Sequence, residues 1–149
     1  MAISREKYQD INHTLKGLRT QILDSIDYCA ENNFYYDNPR EMYYNILPLV
    51  KYKNDPAGVE LIQTVPTLLE DNYHGTPGAG DCDCFTVLTC AIGAINKWKQ
   101  RIVLCGKTKN GPVHIFSQVF FNGQWQTVDL TSRLYNTHKK YKFYQYLPI

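Results

Sequence analysis

The dipeptide Asn122-Gly123 narrows what this 149-residue chain can fold into more than any other feature. Lying between two alternating apolar segments, Asn-Gly is the strongest short hairpin signal, because both central residues of a type I′ turn need positive φ. With a two-residue turn, facing residues carry numbers that add to 245, so His114 faces Thr131 and Asp129 faces Phe116. Strand side chains alternate with period 2, which sets His114 and Asp129 on one face as diagonal neighbours, roughly 7 to 8 Å apart. A carboxylate can reach an imidazole from there. A register slip of one residue would send one of the two to the opposite face. The expected orientation of the shared face is toward the helix that carries Cys82.

That helix follows the turn-rich run His74-Gly75-Thr76-Pro77-Gly78-Ala79-Gly80. Phe85, Leu88, Ile92 and Ile95 recur at helical spacing, and Asp81 is a good N-cap residue. Cys82 therefore falls in the first helical turn, where free N–H groups and the positive end of the helix dipole stabilise a thiolate. Asp81 and Asp83 oppose a second anion, so their carboxylates are expected to point away into caps or solvent. Cys82, His114 and Asp129 are a thiol, an imidazole and a carboxylate in the order a cysteine-nucleophile enzyme uses them.

Before this point the chain reads as helical. Tyr8, Ile11, Leu15, Leu18, Ile22, Ile26 and Cys29 form one apolar stripe of a long helix starting near Ser4. Asn38-Pro39-Arg40-Glu41 starts a second helix that ends near Pro48, and a third piece begins at Asp55-Pro56 and restarts at Pro66. After Cys82 the β-branched and aromatic runs Ile102 to Cys105 and Val113 to Phe121 read as strands, Lys107 to Gly111 as a turn, and Tyr141 to Tyr146 as an edge strand. Helices first and antiparallel strands second make the fold class α+β. One domain, 1–149, is expected, with a helical N-terminal extension over 1–54 and a core over 55–149.

Net charge of +2 with 20% charged residues gives no basic stripe, so no nucleic-acid partner is expected. No stretch approaches the roughly 20 apolar residues that cross a bilayer, and the N-terminus has no export-signal pattern. Five cysteines, at 29, 82, 84, 90 and 105, lack disulfide-framework spacing and point to reduced thiols in a cytosolic compartment. Export by another route, after host lysis or inside a particle, stays open. Cys82-x-Cys84 with Cys90, Cys105 and His114 holds enough soft ligands for zinc, but a one-residue spacing at a helix start makes the first pair diverge. No metal or other cofactor is expected. Cys29, Cys90 and Cys105 fit apolar faces, and His13, His74 and His138 fit the surface.

Gly80-Asp81-Cys82-Asp83, a helix, a strand, His114 in a strand and Trp125-x-x-x-Asp129 in the next resemble the transglutaminase-like cysteine enzymes, which share a papain-like core. The resemblance spans roughly residues 60 to 131, and the run Val59 to Thr64 looks like bacterial and phage members. It implies that Cys82 is the nucleophile at the start of a central helix, His114 its base and later acid, and Asp129 the group that orients the imidazole. Cys84 stands where an acidic residue is commoner, and Leu130 where Pro often follows the Asp. The implied chemistry is acyl transfer from an amide, as a peptidase or amidase acting on peptide, protein or peptidoglycan. Its alternatives are a true cross-linking transglutaminase and a non-catalytic structural or virion-associated protein of the same fold. The backbone N–H of Cys82 is one oxyanion donor. A second donor must come from upstream, where Gln63, Tyr73 and His74 are the candidates and the sequence does not choose among them.

Overall fold

The Asn122-Gly123 turn forms with two residues, at φ of 52° and 82°, and the flanking strands pair Phe121 with Gln124, Phe120 with Trp125 and Ser117 with Val128. Positive φ at both positions is what a type I′ hairpin requires. A computed structural model describes residues 2–5, 11–55, 60–108 and 111–149.

The architecture is α+β. A four-stranded antiparallel sheet takes the C-terminal half in the order β7-β6-β5-β8, from β5 (Lys99–Thr108), β6 (Gly111–Phe121), β7 (Gln124–Val128) and β8 (Phe143–Pro148). The edge strand expected near Tyr141 is β8. Lys107 and Thr108, expected in a turn, lengthen β5, and residues 109 and 110 of that cluster lie outside the described residues.

The helical half differs from its periodicity in two places. Ser4 lies in a strand, β1 (Ala2–Arg5), which pairs antiparallel with β3 (Glu60–Gln63); Tyr8 lies outside the described residues. The apolar stripe then divides into α1 (Ile11–Leu23) and α2 (Ile26–Glu31). The break falls at Asp24-Ser25, where the Ser25 hydroxyl donates to the Gln21 carbonyl at 2.6 Å and accepts from the Val65 N–H at 2.9 Å. A side chain that serves the backbone on both sides competes with helix continuation. Residues 56–59 of the third expected helix lie outside the described residues, and Glu60–Gln63 is strand rather than helix because it is β1's partner.

Local cap signals are realised as written. α3 (Pro39–Ile46) is capped by Asn38, whose side chain accepts from the Glu41 N–H at 2.8 Å. α4 (Val65–Leu68) is capped by Thr64, with Pro66 in its only turn. Between α3 and α4, β2 (Val50–Tyr52) runs parallel to β4 (Gly78–Gly80), the strand that delivers the chain to Cys82. A Cβ at Gly78 would lie 1.9 Å from the Leu68 carbonyl oxygen, so glycine is needed there for β4 to approach α4.

α5 (Cys82–Ile95) is the central helix. Every residue from Cys82 to Gly93 is buried, not only the stripe of Phe85, Leu88 and Ile92, because α1, α2 and α4 pack on one side and β6 on the other. Leu18, Met42 and Ile46, from the segment expected to be an extension, share one apolar cluster with Leu88, Ile102 and Ile115. Val103, Cys105 and Phe116 form a second cluster on the opposite face of the sheet, with Tyr141 and Tyr144 packed against it.

Candidate active site

Asp81 caps α5 with its side chain, accepting from the Asp83 N–H at 3.2 Å, and Cys82 is the first helical residue. The cap accounts for the Asp81 carboxylate. Asp83 departs from expectation: it is fully buried instead of turned to solvent. The Thr86 hydroxyl donates to the Cys82 carbonyl at 2.8 Å within α5, and the Thr89 and Ser117 hydroxyls meet at 2.8 Å, which ties the middle of α5 to the middle of β6.

His114 and Asp129 are brought together: Nε2 lies 2.7 Å from Oδ2, with the imidazole 12% and the carboxylate 3% exposed. A carboxylate in its ionised form only accepts hydrogen bonds, so the tautomer that fits this contact is the one with the proton on Nε2 and the lone pair on Nδ1. The other carboxylate oxygen is also engaged, since Oδ1 accepts from the Thr131 N–H at 3.0 Å and its hydroxyl at 2.7 Å. The Asp129 carbonyl accepts from Ser132 Oγ at 2.8 Å and Tyr43 Oη at 3.3 Å. Asp129 is therefore held from four directions. Thr131 escaped the sequence reading, although Asp-x-Thr is the pattern of an Asx turn and signals such a contact.

The shared face is not the one expected. Ser117, which touches Thr89, and Ile115 and Val119, which join the α5 cluster, point toward the helix. Alternation turns His114 and Phe116 the other way, and Asp129 with them. There the imidazole is flanked by Phe116, at 5.6 Å between ring centres, and by Tyr141, stacked at 6.0 Å and 25°. His138, expected at the surface, is half-buried and stacks on Phe116 at 4.8 Å. The Tyr141 phenol is pushed up, first by burial and then by the acidic groups Cys105, Asp129 and Cys82. No local signal marked Tyr141, because its neighbours come from three other elements.

The five thiols are alike in burial, with exposures of 0 to 3%. Burial pushes Cys29, Cys84, Cys90 and Cys105 up to about 12, leaving each a neutral packing group at physiological pH. Cys84 is tied into the structure: its thiol donates to the Leu61 carbonyl at 3.2 Å and accepts from the Gln63 N–H and Nε2, each at 3.5 Å. Gln63 Nε2 also donates to the Ala79 carbonyl at 3.0 Å, so both amide hydrogens have acceptors and neither is left for an oxyanion. Tyr73 and His74 are exposed, and the Tyr73 hydroxyl meets that of Tyr28 at 3.3 Å. Of the donors weighed for zinc, no three are gathered among the described residues; the grouping found there is Asp81, Cys82 and Asp83, consecutive in the chain. Nor is any described helix long and apolar enough to cross a membrane.

No protein-family model matches the chain, and no curated protein matches it in sequence. One solved structure, named "a Putative Cysteine Protease from Cytophaga hutchinsonii", aligns with 79% of this chain at 16% identity and a TM-score of 0.39. The alignment takes in 37% of that protein, so the chain spans little more than a third of its length. A likeness this loose carries no argument about fold or activity.

Proposed function

We propose that the protein is a cysteine-nucleophile acyl-transfer enzyme with a transglutaminase-like arrangement, acting as a peptidase or amidase on peptide or peptidoglycan amides. The observation that carries the reading is the 2.7 Å contact between His114 Nε2 and Asp129 Oδ2, in a carboxylate whose other oxygen is held by Thr131. In this reading Nδ1 is the nitrogen that takes the thiol proton. Cys82 is the nucleophile. Its thiolate attacks the amide carbonyl, His114 returns the proton to the leaving amine, and water then resolves the thioester with His114 as base. The Cys82 N–H at the start of α5 is one donor to the oxyanion. With Gln63 committed to Cys84 and Ala79, the second donor has to come from elsewhere.

One observation favours the non-catalytic alternative: Cys82 is 3% exposed, so a substrate must displace neighbours to reach it. The deciding experiment is mass spectrometry after brief, low-dose iodoacetamide at neutral pH. Because all five thiols are equally buried, exposure cannot select among them, and a thiol that reacts first does so through its ionisation. Cys82 is expected to label first, and Cys82→Ala to remove the fast phase while Cys84→Ala keeps it. Peptide and peptidoglycan-fragment libraries should then yield a Cys82-linked thioester. Incorporation of a labelled primary amine would make the activity cross-linking. Uniform slow labelling with no trapped thioester would leave the structural alternative standing.

A further inference from the structure

The net charge of +2 conceals a division. Residues 84–149 carry nine Lys and Arg against one carboxylate, the buried Asp129, whereas residues 1–83 carry seven against thirteen. The sheet half is thus basic and the helical half acidic. On the sheet face that also bears His114, Arg101 is built into a rigid frame. Its guanidinium lies 4.1 Å from the ring centre of Trp125 on β7 and 4.1 Å from that of Tyr146 on β8. Its Nε donates to Gln118 Oε1 at 2.8 Å, and Gln118 is itself oriented by Nε2 donating to Thr127 Oγ1 at 3.1 Å. Lys99 lies 5.7 Å from the same Trp125 ring and 5.5 Å from Phe120. No carboxylate among the described residues pairs with Arg101 or Lys99, and the Arg101 Nη groups meet no acceptor there.

A guanidinium held between two rings and by its Nε, whose Nη groups have no acceptor among the described residues, is preorganised for two-point recognition of a carboxylate or phosphate. Two features favour a polypeptide over a nucleic acid. The Trp125 and Tyr146 faces on which bases would stack are filled by Arg101. β8, which carries Tyr146, is an edge strand that pairs with β5 alone among the described residues, and an open strand edge complements a peptide backbone. Lys139, Lys140 and Lys142, all exposed, extend positive charge along the approach to this edge.

We propose that Arg101, backed by Lys99, is the anion-receiving element of a docking site for an extended acidic polypeptide that adds along the open edge of β8. The site stands apart from the thiol chemistry and is tested without it. The probe is a fluorescein-labelled ten-residue peptide of alternating Thr and Glu, titrated with the full chain and followed by anisotropy at low salt. Saturable binding that weakens as salt rises is expected. Arg101→Lys, which keeps the charge but loses the fork, should weaken it about tenfold, and Lys99→Gln about threefold. Lys16→Gln, on the exposed side of α1, should change it less than about twofold. A peptide N-methylated at alternate residues should bind about tenfold more weakly, since it cannot complete a strand ladder. Should Arg101→Lys fail to fold by circular dichroism, Lys99→Gln and the N-methylated peptide still decide the matter. Undiminished binding by Arg101→Lys or of the N-methylated peptide, or equal affinity for a labelled ten-residue oligothymidylate, would overturn the proposal.

Discussion

The two faces of the β7-β6-β5-β8 sheet are made from alternate residues of the same strands, yet they are built differently. The face toward α5 carries Ile102, Leu104, Ile115, Val119 and Val128, all fully or almost fully buried in the main apolar cluster. Ser117 is its polar exception, and Thr89 answers it. The other face carries His114, Phe116, Gln118, Arg101 and Trp125, in which rings, a cation and a carboxylate contact one another at specific angles and distances. A core face tolerates any residue set of matching volume, whereas a polar face works only when each donor finds its acceptor. Stability should follow the first face and chemistry the second.

The sharpest way to break that division is Asp129→Asn. Turnover of any acyl donor is expected to fall about 10⁴-fold, the size of the corresponding loss in a serine protease, while the thermal midpoint shifts by only a few degrees. An amide keeps the shape of the carboxylate but cannot stabilise an imidazolium. Equal collapse of stability and activity would assign His114 and Asp129 to structure instead. Next in size is Ile115→Ala on the helix face, expected to cost about 2–5 kcal/mol in denaturant unfolding, since a fully buried side chain is removed beside α5.

Alkaline pH tests both faces together, because Cys90 stands on the α5 side and Cys105 on the other, each pushed by burial from 9.0 up to about 12. Above pH 9 the unfolded chain releases these protons while the folded one holds them. Stability contributed by the neutral thiols is therefore complete below pH 9 and is lost as pH rises toward 12. Melting curves from pH 8 to 11 should show this fall, and Cys90→Ala should flatten it; a slope unchanged in that variant would mean that other groups govern it. The smallest effect is expected from Phe120→Ala on the polar face. Phe120 is 40% exposed, and the unfolding free energy should drop by less than about 1 kcal/mol. A loss as large as that of Ile115→Ala would erase the distinction between the faces.

Much of the scaffold was legible in short stretches of sequence. Asn122-Gly123 announced its turn and register, Asn38-Pro39 and Asp81 their helices, and alternation the pairing of His114 with Asp129. Where reading failed, the cause was a partner far away in the chain. Residues 60–63 are strand because β1 lies beside them, and the stripe from Tyr8 to Cys29 breaks at Ser25 because Val65 draws its hydroxyl. Cys84 is tied to Gln63 and Leu61, some twenty residues earlier, a pairing that no local spacing announces.

Taken alone, the sequence determined those things that depend on a residue and its near neighbours: the sign of φ in a two-residue turn, the capping of a helix by the side chain before it, and the fact that residues 114 and 129 share a face. Tertiary structure decided which way that face looks, that Asp83 is buried, that Gln63 serves Cys84, and that Arg101 lies between Trp125 and Tyr146. The physical reason is range. Turn, cap and alternation preferences are set by backbone sterics and hydrogen bonds within a few residues, whereas burial and side-chain pairing depend on what another part of the chain brings across the gap.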